Sequence, residues 1–418
     1  FEQTIVTLTL LNMRKQIIIY INGKKYDNIT DPMERLSTFL SNNGLTGTKT
    51  SCKEGGCGVC TVMQSFWDGQ KVQHKTLLSC ITPLILCDMT EITTIEGIGN
   101  SQNPHPIQEQ FSSASQCGFC TPGFIMSIFA EYCNGKPNIK QMRTAIDGNI
   151  CRCTGYNVIN KVLGDIEETV QEVKVPQLAD ELKQKYQTVL IENCDYNGEA
   201  YKNQITIQPT TYQEIKNFID KYGSCKFMAG GSDVMVDFKT SNRMPKYVVS
   251  IARLENQKYI IIENGVLKVG ALVTINEFEE FLQKHHSKAY NFFQSVYSVF
   301  ASHHVRQSAT MCGNIMNCSS ASDNLPIFMA LGCTLKVLSL KSMEMRDVDI
   351  DTLPKGYHTT TLDKTDLLTG FEAKFDDLDG LYFKKLSRRR HDDMCVVSSA
   401  CKFNVQGNKV VSAKICFG

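Results

Sequence analysis

The sequence predicts a multidomain α+β chain with a β-rich N-terminal module, a small helical module and an α/β C-terminal half. Three observations predict it. Residues 16–76 hold short β-branched and aromatic runs punctuated by the tight-turn pairs Asn22-Gly23 and Asp68-Gly69. From Pro104 to Ile166 the apolar period becomes helical. Beyond Ile205, short apolar runs alternate with amphipathic helices and glycine pairs.

Length and charge bound the function. At 418 residues the chain has room for two to four domains of about 150 residues each. Lys+Arg 44 against Asp+Glu 43 leaves a net charge of +1, which argues against nucleic acid or an anionic membrane surface as partner. No apolar run approaches the ~18–20 residues that cross a bilayer. Ile5–Met13 is apolar but lacks a basic segment before it and a small-residue cleavage site after it. Residues 1–13 therefore read as an extension outside the fold, with Met13 as the start of a cytoplasmic protein.

The N-terminal module spans residues 14–91. Ile17–Ile21 and Lys24-Lys25-Tyr26 form a hairpin, and Leu36, Phe39 and Leu40 share one face of a short helix. A cysteine loop follows, then the strand pair Thr61–Phe66 and Lys71–Thr76, then Cys80. Strands, one helix and a cysteine loop make a β-grasp, ferredoxin-like module.

The cysteines carry the chemistry. Cys52, Cys57, Cys60 and Cys80 follow C-x4-C-x2-C with a distant fourth member, the plant-type spacing for a [2Fe–2S] cluster. Gly55, Gly56 and Gly58 permit positive φ and let backbone N–H groups approach the sulfurs. Structural zinc also takes four cysteines, and it is the weaker reading here. The second set is Cys117, Cys120, Cys151 and Cys153; taken alone, its CxxC and CxC pairs suit zinc as well as iron. The other ten of the 18 cysteines are scattered, as in a reducing compartment, and do not form a disulfide framework.

The helical module spans residues 92–165 and carries the second set. Thr121 is the expected N-cap of a helix with Pro122 in its first turn and Asn134-Gly135 at its end. Ile139, Met142 and Ile146 mark a second helix, and Val158 to Ile166 a third. Both cysteine pairs precede helix starts, where thiolate charge is stabilised. Residues 166–204 are polar and weakly periodic and read as a linker.

Residues 205–418 read as α/β. Ala229-Gly230-Gly231-Ser232-Asp233 follows a strand and could cradle phosphate, although most such glycine pairs are plain turns. A second glycine site is Thr310-Met311-Cys312-Gly313-Asn314, followed by Ser322-Asp323. The pairs His285-His286 and His303-His304 lack a cysteine or carboxylate at ligand spacing and read as surface or core histidines.

The words Gly47-Thr48-Lys49, CKEGGCGVCTV (52–62), TTIEGIG (93–99), QCGFCTPGF (116–124) and GNICRCTGY (148–156) together resemble the molybdenum hydroxylases, the xanthine dehydrogenase and aldehyde oxidase family. The resemblance implies two [2Fe–2S] clusters rather than zinc, held by the two cysteine sets. It implies that 205–418 is an FAD-binding domain whose last subdomain is incomplete at Gly418. Ala229, Gly230, Gly231, Ser232, Asp233, Thr310, Gly313, Asn314, Asp323 and Lys385 would contact FAD, and Gln116 the molybdopterin of a partner domain. Cys312 stands where the family has a glycine, a departure that could loosen flavin binding.

The implied function is the electron-transfer portion of such an enzyme, with no catalytic hydroxylating site in this chain. Electrons would pass from a molybdenum-cofactor domain or subunit through the second cluster, the first cluster and FAD to NAD+ or O2, in a homodimer. The alternatives are a non-catalytic electron-carrier subunit or remnant that docks to a separate molybdenum subunit, and a zinc-stabilised scaffold.

Overall fold

Ile17–Ile21 (β1) buries Ile17, Ile19 and Ile21 on one face and turns through Asn22 and Gly23 into Lys24–Ile29 (β2). Both turn residues have positive φ, 51° and 79°, the geometry that matches the twist of a tight hairpin. The computed structural model describes residues 13–194, 204–241, 245–375, 378–389 and 393–418. Leu36–Asn42 (α1) buries Leu36 and Leu40. Thr61–Trp67 (β3), Val72–Leu78 (β4) and Thr90–Thr93 (β5) complete a sheet of order β2-β1-β5-β3-β4. The β1–β5 pair is parallel and the others are antiparallel. The first cysteine loop lies between α1 and β3.

After the one-turn helix Ile95–Ile98, the helical module is built on Pro106–Ser112 (α2), Thr121–Cys133 (α3), Ile139–Ala145 (α4) and Asn157–Thr169 (α5). His105 with Gln108 and Asn138 with Gln141 form capping boxes at α2 and α4. α3 is apolar around most of its circumference because Phe124, Ile125, Ile128 and Phe129 all enter the core. Met63 of β3 joins that core, so sheet and helices share one apolar interior. Thr121 is not the N-cap of α3. Cys120 holds that position without a side-chain cap bond, and Thr121 is the first helical residue.

Three sequence-based boundaries change. Residues 1–12 lie outside the described residues, but Met13 is 8% exposed and so is part of the core. The 166–204 stretch is not only a connector: α5 runs to Thr169, and Val189–Cys194 (β6) pairs antiparallel with Gln204–Gln208 (β7). Val189, Leu190 and Ile191 are buried there. Residues 205–418 do not fold as one body either.

The chain divides into two compact units. The first holds the chain up to Gln208 together with Gly231–Ser250 and Ser302–Gln307. Within it, β7 pairs parallel with Tyr247–Ser250, and the helix Val234–Ser241 and one-turn helix His303–Arg306 are included.

The second unit holds Pro209–Gly230, Ile251–Ala301 and Ser308–Gly418. Its main sheet is antiparallel, in the order Ile260–Glu263, Val266–Gly270, Asp366–Lys374, Thr334–Ser339, Glu344–Asp349. Helices Ile275–His285, Ser287–Tyr297 and Asn324–Leu331 contribute Phe278, Phe293, Tyr297 and Phe328 to its core beside Phe371 and Phe375. Leu381–Leu386, Val397–Gln406 and Lys409–Phe417 form a separate antiparallel sheet. No helix among the described residues is long and apolar enough to cross a membrane.

Candidate functional site

The first cysteine set is assembled by one tight loop and one distant residue. Lys53, Gly55 and Gly58 have positive φ (60°, 82° and 64°), which coils the loop so that Cys52, Cys57 and Cys60 face inward. A side chain at Gly55 would also meet Ile81 Cδ1 at 2.8 Å. Cys80 arrives on a 3-10 turn after β4, anchored by the Ser79 N–H and hydroxyl, which both donate to the Cys60 carbonyl. Hydrogen bonds from Cys57 and Cys80 hold the Cys52 thiol far below its ordinary range, and the same contacts push Cys57 and Cys80 up. Cys80 likewise lowers Cys60. The four sulfurs thus form a chain of contacts, Cys57 to Cys52 to Cys80 to Cys60.

The second set forms as two pairs. Cys117 Sγ and Cys153 Sγ are 3.5 Å apart, and Cys120 bonds Cys151. Burial pushes Cys120 up to about 12. At Cys151 burial is outweighed by the Thr154 hydroxyl and N–H, 3.1 and 3.5 Å from the sulfur, so that thiol is lowered. Gly155 and Tyr156 are both left-handed (φ 65° and 70°), a turn that returns the Tyr156 hydroxyl to accept from the Cys151 N–H at 3.1 Å. Among the described residues no three His, Cys, Asp or Glu side chains close on a single-ion site. The sulfurs meet as the pairs Cys117–Cys153 and Cys120–Cys151. Gln116, Cys117 and Cys153 are exposed, beside Phe119 at 45% and Tyr156 at 40%.

The two loops touch. The Ile150 N–H donates to the Cys57 carbonyl at 3.0 Å, and Asn149 Nδ2 donates to the Gly58 carbonyl at 2.8 Å. A Cβ at Gly123 would lie 2.4 Å from the Gly58 oxygen, so glycine on both sides allows the approach. Ser127 Oγ links Asn149 Oδ1 (2.9 Å) to His304 Nε2 (2.7 Å). His304 is fully buried and burial drives its pKa down to about 3. Among the described residues its Nδ1 has no partner, and its one hydrogen bond is that between Nε2 and Ser127. His303 and His304 are thus core histidines.

Two glycine loops meet in the second unit. A Cβ on Gly230 would fall 1.7 Å from the Ser308 carbonyl oxygen, so only glycine lets the 308–314 backbone pass there. Thr310 caps Met311–Asn317 by accepting from the Gly313 N–H at 3.0 Å, and Asn314 Oδ1 accepts from Ser322 Oγ at 2.8 Å. Lys385 Nζ pairs with Asp323 Oδ2 at 2.7 Å and donates to the Val299 carbonyl at 2.9 Å. Burial raises Asp323, and Lys385 opposes it. Asp323 Oδ1 and Asn324 Oδ1 are buried acceptors without partners, which fits a ligand that brings hydroxyl or ring N–H donors. Cys312 is buried in the apolar core, with Sγ 3.9 Å from the Gly270 carbonyl. Ala229, Gly231, Ser232 and Asp233 continue the first glycine loop, where Gly231 has φ 73°.

Sequence reasoning missed Arg35, Lys239, Ser127 and Asn149. Asn149 lies inside the GNICRC word and could have been noticed there. Ser127, Arg35 and Lys239 carry no motif, and only folding brings them to the cysteine loops.

Three family models match: a 2Fe-2S iron-sulfur cluster binding domain over residues 19–84, a [2Fe-2S] binding domain over 94–163, and an FAD binding domain in molybdopterin dehydrogenase over 200–372. The xanthine dehydrogenase of Emericella nidulans is 28% identical over 96% of this chain, and the xanthine dehydrogenase/oxidase of Rattus norvegicus is 29% identical over 96%. This chain spans 34% of the length of each. Quinoline 2-oxidoreductase from Pseudomonas putida 86 aligns with 50% of this chain and 72% of its own at 23% identity and a TM-score of 0.44. With two [2Fe–2S]-binding domains followed by an FAD-binding domain of the molybdopterin dehydrogenase type, the chain is similar to the iron–sulfur and flavin-binding portion of the xanthine dehydrogenases.

Proposed function

We propose that this chain relays electrons one at a time between a molybdenum-cofactor domain or subunit and a flavin. The observation that carries it is the shared hydrogen bond between Ile150 and Cys57, which joins the two cysteine loops directly. When bound, the clusters supply one-electron transfer and the flavin supplies storage of one or two electrons. Cys52, Cys57, Cys60 and Cys80 would hold one cluster, and Cys117, Cys120, Cys151 and Cys153 the other. Glu54 N–H and the Thr154 N–H and hydroxyl donate to ligand sulfurs and so stabilise added negative charge. Asn149 and Ser127 fix the separation of the loops.

The exposed face of Gln116, Cys117 and Phe119 is the docking face for the molybdenum partner, with Gln116 contacting molybdopterin. In the second unit, Ala229, Gly230, Thr310, Gly313, Asn314, Asp323 and Lys385 would hold FAD. NAD+ or O2 would be the acceptor, and a purine, N-heterocycle or aldehyde the substrate of the whole homodimeric enzyme. The cysteines whose side chains are described are free thiols, which supports a cytoplasmic setting.

Anaerobic loading with iron and sulfide, followed by metal and flavin analysis, tests this. About four irons and one FAD per chain, with two distinct rhombic resonance signals after dithionite, are expected. Zinc without iron, or a silent spectrum, would refute it.

A further inference from the structure

We propose that Arg35 and Lys239 are positioning residues that raise the reduction potential of the first cluster by placing cations on the backbone of two of its ligands. The proposal rests on the reading that Cys52, Cys57, Cys60 and Cys80 hold that cluster. Arg35 Nη1 donates to the carbonyl of Cys80, and its Nη2 donates to the carbonyl of Met235 at 2.7 Å. Lys239 Nζ donates to the carbonyl of Cys52 at 2.9 Å and pairs with Glu54. Two ligands far apart in sequence thus each have a full positive charge one hydrogen bond from their own peptide.

An added electron places one negative charge on the four-thiolate site and makes or breaks no bond. A cation a few ångströms away favours that charged state, more strongly at Arg35, whose contacts are partly buried, than at Lys239, whose contacts are exposed. The two cations differ in strength. Arg35 meets two carbonyls and, among the described residues, no carboxylate, so its charge acts undiminished. Lys239 is partly cancelled by Glu54, a half-exposed carboxylate whose own N–H donates to Cys52 Sγ at 3.4 Å. Arg35 therefore has the larger effect, and Glu54 acts with the opposite sign. At the second set the donors onto Cys151 Sγ come from Thr154, a neutral residue, which makes that cluster an internal reference.

Arg35 occupies the N-cap position of α1, yet its side chain makes no cap bond and reaches across to Cys80 instead. An isolated structural strap would be satisfied by any group of the same reach. A tuning role needs the charge.

The experiment is a dithionite titration of the iron-loaded full chain, following both resonance signals in wild type, Arg35→Gln, Arg35→Lys, Lys239→Gln and Glu54→Gln. At a fixed potential, Arg35→Gln should lower the reduced-to-oxidised ratio of the first cluster about tenfold, equivalent to ~59 mV for a one-electron couple. Arg35→Lys should keep that ratio within about twofold of wild type, because the charge survives. Lys239→Gln should lower it less, and Glu54→Gln should raise it. The second signal should not move in any variant. An unchanged first midpoint in Arg35→Gln, or an equal fall in Arg35→Lys, overturns the proposal. If Arg35→Gln fails to load iron, Lys239→Gln and Glu54→Gln decide: opposite shifts support the proposal, and shifts of one sign or none overturn it. A wild-type chain with no first signal removes the cluster reading itself, which a present but immovable signal does not.

Discussion

The Ile150 amide donates to the Cys57 carbonyl at 3.0 Å, so a member of one cysteine set and the chain neighbour of a member of the other share a single hydrogen bond. A contact this close depends on glycine. At Gly58 the backbone is left-handed (φ 64°), and a Cβ would lie 2.5 Å from the Gly148 carbonyl oxygen, which belongs to rigid backbone. Gly58→Ala should therefore lose about 2–4 kcal/mol of stability from strain and overpacking together. Thermal unfolding should show a clear fall in midpoint. An unchanged midpoint with full iron would mean that the loops have room to separate.

The two cysteine sets should load independently. Cys57→Ser should reduce iron from about four to about two per chain and leave the second signal in place, and Cys120→Ser should do the reverse. Iron assay with resonance spectroscopy distinguishes these outcomes from collapse of both sites together.

His304 gives stability an acid limit. Burial lowers its pKa to about 3, with Asp147 opposing and His303 and Arg306 reinforcing the shift. In the unfolded chain the ring takes a proton near pH 6.5. Above that pH both states hold neutral imidazole and nothing is lost. Below it the unfolded state binds a proton that the folded state refuses, so stability falls by about 1.4 kcal/mol per pH unit down to about pH 3. His304→Gln, which can still donate to Ser127, should flatten this slope in denaturant titrations run between pH 7 and 5.

Lys385 and Asp323 are 3% and 2% exposed at their side chains. Removing one partner strands a buried charge, so Lys385→Met should cost about 3–5 kcal/mol, and Lys385→Met with Asp323→Asn should recover part of it. Bound flavin should fall in both variants, because the double variant restores packing without restoring the polar site. Flavin absorbance after gel filtration reads the second effect, and thermal unfolding reads the first.

The cysteine sets were legible because each depends mostly on a short local word: Gly55 and Gly58 coil one loop, and Gly155 and Tyr156 the other. Strands such as Ile17–Ile21 showed through their β-branched and aromatic run and the Asn22-Gly23 turn that follows. The Val189–Ile191 strand did not, since three apolar residues in a polar stretch carry no periodicity. Thr121 looked like a cap because hydroxyls usually cap, but the chain enters α3 directly from Cys120. The flavin-loop glycines were visible as candidates, whereas the reason for Gly230, the passing Ser308 carbonyl, is a tertiary fact. Arg35 and His304 were silent for the same reason. Their partners lie 45 and 177 residues away.

Residues 231–250 and 302–307 fold with the iron–sulfur modules although the sequence around them belongs to the other unit. A chimaera spliced after Gln208 onto the flavin half of a relative would import a foreign helix in place of Val234–Ser241 and a foreign turn opposite Ser127. Recombination between such genes is tolerated only if the crossover carries both inserts with their hosts, which ties the evolutionary inheritance of the two halves together.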